Sequence, residues 1–131
     1  KGTSVNFKCN TELYYEFDYN KMLQVFTNLL SNALKFVPES DGYITIALNE
    51  GIEDIIIQIK DNGKGIPEED IHLIFKKFYQ SKNQTFKKPL GSGFGLAICK
   101  QIVEMHQGEI FAKPNLKSGA EIIIKLPKLD L

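Results

Sequence analysis

The segment Asn28-Leu-Leu-Ser-Asn32-Ala-Leu-Lys35 sets two asparagines and a lysine at positions i, i+4 and i+7. On a helix this spacing puts the three polar side chains on one side. The helix predicted around the segment runs from Tyr19 to Val37, because Asp18 is a good N-cap and Pro38 ends helical structure. Apolar residues at helical spacing are predicted to form the opposite side: Met22, Phe26, Leu29, Leu30, Ala33 and Val37. The polar side is either solvated or a binding surface, and spacing alone leaves both open.

A second motif, Asp61-Asn-Gly63-Lys-Gly65-Ile66, follows an isoleucine-rich segment. Asp-Asn-Gly is a good turn sequence by itself, so a plain turn is one interpretation. The functional interpretation is that glycines let the backbone pass close to a ligand while the carboxylate accepts a hydrogen bond.

A third motif, Gly91-Ser-Gly93-Phe94-Gly95-Leu96, lies at the start of a predicted helix from Gly95 to His106. Backbone N–H groups at the start of a helix bind anions, and glycines remove side chains that would block phosphates. Flexible loops carry the same glycine spacing, so this motif alone does not decide between a loop and a phosphate site.

The remaining sequence predicts an α+β fold with one compact domain over residues 1–131. A short, acidic-fronted helix is predicted from Glu68 to Ile74, after Pro67. Strands are predicted at Val5 to Cys9, Leu13 to Phe17, Tyr43 to Asn49, Asp54 to Asp61, Glu109 to Lys113 and Ala120 to Leu126. We therefore expect a two-layer α/β sandwich, with a mixed, mostly antiparallel sheet covered on one face by three helices.

Composition excludes several classes of function. Sixteen basic and sixteen acidic residues cancel, so no net field favours nucleic acid or an anionic membrane. Cys9 and Cys99 do not have the spacing of a metal site and are expected to be reduced thiols of a cytoplasmic protein. The sequence starts at Lys1 without a methionine, which predicts a fragment of a longer protein; a membrane anchor elsewhere in that parent stays open.

The three motifs, in this order, resemble the ATP-binding domain shared by sensor histidine kinases, DNA gyrase, the large heat-shock ATPase chaperones and mismatch-repair ATPases. The likeness extends from Val5 to Pro127 and is greatest to the sensor histidine kinases. It implies the catalytic ATP-binding domain of a two-component sensor histidine kinase, with a Bergerat-type fold. ATP and magnesium (Mg²⁺) are the cofactors that the resemblance implies.

The resemblance also implies roles for individual residues. Asn32 would hold Mg²⁺, with Asn28 assisting and Lys35 approaching a phosphate, so these three form the catalytic set. Asp61 would accept a hydrogen bond from the adenine 6-amino group, which selects adenine over guanine. Phe78 and Tyr79 lie in an aromatic motif just before the expected lid over ATP, and would anchor it. Further nucleotide contacts are implied at Gly63, Gly65, Ile66, Gly91, Gly93, Phe94, Gly95 and Leu96.

Three positions depart from the pattern of the kinases. Many relatives have Arg at Gln80, a Thr at Ala120 and a Leu at Phe94. The first two departures keep open a second hypothesis, a nucleotide-sensing module that binds ATP without transferring a phosphoryl group.

The residue at position 28 separates classes within the resemblance. Gyrase-type ATPases and serine-directed kinases carry there a Glu as general base, whereas Asn28 has no useful basicity near neutral pH. An imidazole acceptor is already a nucleophile at that pH and needs less help. His72 and His106 are expected to be structural, so the acceptor histidine would lie on a separate dimerising domain. The expected partners are that domain, a response regulator and a second copy of the parent, with no nucleic acid and no direct membrane contact.

Overall fold

Among the residues that the computed structural model describes, five strands form one sheet in the order β1-β2-β3-β5-β4. The structure describes residues 3–9, 18–36, 41–63, 65–66, 68–71, 73–76, 95–114 and 119–128. The strands are β1 (Thr3–Cys9), β2 (Gly42–Glu50), β3 (Asp54–Asp61), β4 (Glu109–Pro114) and β5 (Ala120–Pro127). β1 pairs with β2 in parallel, and the other three pairings are antiparallel. The predicted mixed, mostly antiparallel sheet is confirmed.

Two α-helices are present among the described residues, α1 (Tyr19–Phe36) and α2 (Gly95–Met105). Asp18 Oδ1 accepts a hydrogen bond from the backbone N–H of Lys21 at 3.1 Å, which is the N-cap geometry that the sequence predicted. The helix predictions are therefore confirmed to within one residue at each described end. Val37 and the strand predicted from Leu13 to Phe17 lie outside the described residues.

The third predicted helix is wrong in type. Instead of an α-helix from Glu68 to Ile74, the structure has a 3₁₀-helix at Glu68–Asp70 followed by turns. Its backbone bonds span three residues, as in Ile71 N–H to Glu68 O at 3.3 Å. A helical nucleus is costly in so short a segment, whereas single 3₁₀ turns form readily in connections. Burial of Ile74 ties the end of the segment to the protein interior.

The core lies between the two helices and one face of the sheet. Burial alternates along β3, where Ile55, Ile57 and Ile59 are buried. The helices contribute Met22, Val25, Leu29, Ala33, Cys99, Ile102 and Val103. Val25 is fully buried although the sequence pattern omitted it, while the predicted core residues Phe26 and Leu30 are only partly buried. The inward face of α1 is thus rotated toward α2.

Candidate functional site

Asp61 ends β3 and holds its carboxylate against two backbone donors. Its Oδ1 accepts a hydrogen bond from the N–H of Gly63 at 2.8 Å, and the N–H of Ala120 donates to the same carboxylate. Burial raises the pKa of Asp61 above its ordinary value, and the two hydrogen bonds partly oppose that shift because they favour the ionised form. The second motif is therefore a turn that orients a desolvated acceptor.

Gly65 and Gly119 bring the turn after β3 against the turn before β5. Both have left-handed backbones, with φ of 86° and 81°. A Cβ at Gly119 would lie 1.9 Å from the carbonyl oxygen of Asp61, and one at Gly65 would lie 3.0 Å from the carbonyl oxygen of Gly119. Neither position has room for a side chain, so the two turns touch backbone to backbone.

Gly119 and Ala120 were not among the site residues that the sequence predicted. Ala120 supplies the second backbone donor to Asp61, and Gly119 permits the close approach that puts this donor there. The sequence indicated a turn at Ser118-Gly119 and, by resemblance, a last glycine motif in which Ala120 replaces the usual Thr. It did not predict the backbone contact with Asp61, because one glycine carries no information about the strand that it will face.

Asn28 joins the first motif to the third. Its Nδ2 donates a hydrogen bond to the carbonyl oxygen of Gly95 at 3.4 Å, across 67 residues of sequence. Both Asn28 and Asn32 are partly buried. The prediction that they lie opposite the apolar face is therefore wrong: they lie beside it, on the side of α1 that approaches the start of α2. The reason is the rotation of the helix that buries Val25.

Cys99 lies one turn into α2 and contacts the side chain of Asn28. Its thiol donates to the carbonyl oxygen of Val25 at 3.7 Å and has a hydrogen-bond contact with the Asn28 carboxamide. Burial raises the pKa of Cys99 to about 11. The thiol is free, as the sequence predicted, and acts as part of the contact between the two helices.

We expect Cys99 to resist alkylation in the folded protein. With a pKa of about 11, about one thiol in a thousand is ionised at pH 8, and full burial also denies access to the reagent. A Cys9→Ser variant would be treated with iodoacetamide with and without urea, and the Cys99 peptide followed by mass spectrometry. Rapid labelling without urea would contradict the buried position.

His106 joins the end of α2 to the start of α1. Its Nε2 accepts a hydrogen bond from the backbone N–H of Asp18 at 3.2 Å, while Nδ1 donates to the carbonyl oxygen of Ile102 at 2.9 Å. Both ring nitrogens are hydrogen-bonded to the backbone, with Nε2 as acceptor and Nδ1 as donor. His106 therefore has the structural role that the sequence predicted.

The other predicted site residues divide into described and undescribed ones. Ile66, the last residue of the second motif, and Leu96, at the start of α2, are described and partly buried. Seven other residues are not described, in the case of Lys35 only as regards its side chain: Lys35, His72, Phe78, Tyr79, Gly91, Gly93 and Phe94.

Within the described part, His, Cys, Asp and Glu residues do not cluster into a group of three suited to a metal ion. Nor does any described helix have the length and apolarity to cross a membrane.

A protein-family model matches most of this chain. The family described as "Histidine kinase-, DNA gyrase B-, and HSP90-like ATPase" matches residues 17–130. Sensor histidine kinase WalK of Bacillus subtilis (strain 168) is 41% identical over 118 residues, which is 88% of this chain and 19% of WalK. Sensor protein SrrB of Staphylococcus aureus (strain NCTC 8325 / PS 47) is 37% identical over 127 residues, which is 97% of this chain and 22% of SrrB. This chain thus spans about a fifth of the length of these two relatives.

Solved structures of histidine kinases are also similar to this chain. The catalytic domain of histidine kinase ThkA superposes with a TM-score of 0.83 at 30% identity, over 97% of this chain and 81% of that one. The mycobacterial sensor histidine kinase MprB gives 0.82 at 29% identity, over 98% of this chain and 84% of that one. ThkA is also known in complex with the response regulator TrrA, and that kinase chain gives a TM-score of 0.75 at 28% identity, with 97% of this chain and 34% of that one covered. Each of these likenesses covers 97% or 98% of this chain.

Proposed function

This chain belongs to the family of histidine kinase-, DNA gyrase B- and HSP90-like ATPases, and from that membership we propose that it is the catalytic domain of a longer sensor histidine kinase. In this proposal, residues 1–131 bind Mg²⁺–ATP and transfer its γ-phosphoryl group to a histidine on a separate dimerisation domain. The similarity to WalK and SrrB, both named as sensor proteins, supports the kinase branch of the family. The observation that carries the proposal is the carboxylate of Asp61, held by two backbone donors beside two glycines that allow close approach.

The Asp61 turn fits the base of ATP. A carboxylate accepts up to about four hydrogen bonds, so it can receive an adenine 6-amino group in addition to backbone donors. Guanine would present a carbonyl oxygen at the same place, and two acceptors repel. Gly63, Gly65 and Ile66 would line the base, because the backbone there is close to the carboxylate and the glycines add no side chain.

Asn28, Asn32 and Lys35 fit the phosphate end. Carboxamide oxygens are hard ligands of the kind that Mg²⁺ accepts beside water and phosphate. The Asn28 nitrogen donates to Gly95, which leaves its Oδ1 as an acceptor for a metal-bound water. When bound, Mg²⁺ offsets the negative charge of the phosphates. Gly91, Gly93 and Phe94 would form the phosphate loop with Gly95 and Leu96, and Phe78 and Tyr79 would anchor the lid.

The proposed reaction needs no general base from this chain. A neutral imidazole nitrogen attacks the γ-phosphorus, the bond from phosphorus to the β–γ bridging oxygen breaks, and ADP leaves with the electron pair. The other ring nitrogen then releases its proton to water. Asn28 stands where a base would be required for water or serine as acceptor, and an amide cannot act as one. Catalysis would rest on positioning and charge.

The phosphohistidine formed in the proposed reaction indicates which protein partners to expect. A phosphohistidine is a phosphoryl donor, so a response regulator is the expected recipient; ThkA, a structural relative, has been solved with one. Since His106 is engaged by backbone groups on both nitrogens and His72 is expected to be structural, we propose that the acceptor histidine lies on another domain of a homodimeric parent. We further propose a cytoplasmic site of action, where ATP is available, without contact to nucleic acid or lipid.

Phosphoryl transfer to a histidine-bearing domain supplied in trans tests the proposal. We expect label from γ-labelled ATP on that domain, in an acid-labile and base-stable bond, and none when its acceptor histidine is replaced by alanine. ATP binding without any transfer would favour the nucleotide-sensing module instead, and absence of ATP binding would contradict both.

Replacing Asn32 with alanine is expected to abolish the Mg²⁺-dependent part of ATP affinity. The adenine contact should persist, so binding measured in EDTA should change less than about twofold. Calorimetric titrations of ATP with Mg²⁺ and with EDTA would measure both parts. Asn20→Ala, an exposed asparagine of the same helix, serves as the matched control. A variant with unchanged Mg²⁺ dependence would place the metal elsewhere.

A further inference from the structure

Asn62 connects the end of β3 to the start of β2 through both atoms of its side-chain amide. Its Oδ1 accepts a hydrogen bond from the backbone N–H of Tyr43 at 2.8 Å, and its Nδ2 donates to the carbonyl oxygen of Asp41 at 2.9 Å. Its own backbone N–H donates to the carbonyl oxygen of Tyr43 at 3.2 Å. We call this set of three hydrogen bonds the Asn62 clamp.

The Asn62 clamp extends the sheet past its last regular pair. Ile44 pairs with Asp61 across β2 and β3, so Asn62 stands opposite Tyr43. The side chain then reaches one residue further, to Asp41, whose left-handed backbone (φ 66°) is unusual outside glycine. Because the amide must present oxygen to Tyr43 and nitrogen to Asp41, both of its ends are specified by the backbone.

The clamp fixes the centre of the turn that orients Asp61. The Asp61 carboxylate accepts from the N–H of Gly63, which makes residues 61–63 an Asx turn with Asn62 in the middle. Rotation of the peptide groups on either side of Asn62 would move this N–H away from the carboxylate. Three bonds from Asn62 to a neighbouring strand oppose such a rotation.

We propose that Asn62 is a positioning residue for nucleotide binding: it acts through Asp61, by holding the Asx turn in the geometry that presents the carboxylate to the base. This inference rests on the proposed adenine-binding role of Asp61 and adds a residue to it. Asn62 itself is expected to touch neither the base nor the phosphates, since both ends of its amide bond the backbone of residues 41–43.

Replacing Asn62 with alanine removes both side-chain bonds of the clamp. One hydrogen bond corresponds to about a two- to tenfold change in an equilibrium constant. We expect the Kd for ADP to rise about three- to tenfold and the ratio of GDP to ADP Kd values to fall, because a freer carboxylate discriminates less. Asn62→Ser, whose single, shorter hydroxyl cannot serve both Tyr43 and Asp41 as the two amide atoms do, should fall between alanine and the original protein.

Asn49→Ala is the matched control. Asn49 lies in the same β2–β3 hairpin, and its Nδ2 donates to Gln58 Oε1 at 3.3 Å, so the variant also loses a side-chain bond of this hairpin. All titrations would be made well below each variant's melting midpoint, so that a folded population is compared in every case. Asn49→Ala should leave the Kd for ADP unchanged.

A double-mutant cycle with Asp61→Ala separates positioning from a general structural role. If Asn62 acts through Asp61, adding Asn62→Ala to Asp61→Ala should leave the Kd for ADP within about twofold of that of Asp61→Ala alone. Losses that multiply would overturn the inference, as would an Asn62→Ala variant that binds ADP as tightly as the original protein. A chain that does not bind ADP before any substitution would contradict the proposed function, which is a separate result.

Discussion

Asp61→Ala is expected to weaken ADP binding by at least about tenfold and to remove most of the preference for adenine over guanine. The carboxylate is partly buried and oriented by Gly63 and Ala120, so its hydrogen bond to an adenine amino group would form in a desolvated place. Losing a charge-assisted bond of this kind costs roughly 1.5–3 kcal/mol. Calorimetric titration with ADP and GDP would measure both effects.

Asp54→Ala controls for the loss of a carboxylate from the same strand. Asp54 starts β3, at the end away from Asp61, and pairs with Pro127. This variant should bind ADP like the original protein. Equal affinities of the original protein for ADP and GDP would remove the base-reading role from Asp61, whatever the variants do.

Gly119→Ala is expected to destabilise the fold by about 2–5 kcal/mol. The added Cβ would lie 1.9 Å from the Asp61 carbonyl oxygen, a backbone atom that cannot turn aside. Overpacking of this kind costs about 1–3 kcal/mol, and the left-handed backbone adds about 1–2 kcal/mol for a residue with a Cβ. Urea denaturation would give the change in free energy of unfolding. ADP binding should weaken as well, because the shift would move the Ala120 N–H from the Asp61 carboxylate.

Gly51→Ala tests whether replacing any turn glycine of the sheet with alanine would cause a similar loss of stability. Its Cβ would approach the side-chain oxygen of Asp54, which can rotate, and Gly51 does not have a positive φ. We expect a change below about 1 kcal/mol, since the Asp54 side chain can rotate and its carbonyl oxygen, 3.3 Å from the added Cβ, has to shift by only a few tenths of an ångström. A Gly119→Ala variant as stable as the Gly51→Ala variant would refute the close contact between the two turns.

Local signals account for what the sequence predicted correctly. β3 spans Asp54–Asp61 as expected, because a run of isoleucines lies between a glycine turn and an Asp-Asn-Gly turn. The start of α1 is equally local, since Asp18 caps it through a residue only three positions away. The family and its fold could be inferred from the order of the motifs, and the family model and the solved structures confirm them.

Features that depend on tertiary packing could not be predicted in this way. The burial of Val25 and the contact of Asn28 with Gly95 both depend on where α2 lies relative to α1. The fit of Gly119 against Asp61 depends on β5 pairing with β3, which neither turn encodes by itself. Asn62 was overlooked for a related reason: within its motif it is an ordinary turn residue, and its partners belong to the start of β2.

The strand order has a consequence for how the protein forms during synthesis. β5 follows β4 along the chain, yet it lies between β3 and β4 in the sheet. When only β1 to β4 have emerged from the ribosome, β4 has no strand to pair with, and the N–H of Ala120 is not yet available to the Asp61 carboxylate. The sheet closes only when residues 120–127 have emerged, so nascent chains halted before β5 should not be retained on immobilised ADP. Ligand capture of stalled nascent chains would then report the moment at which the domain becomes complete.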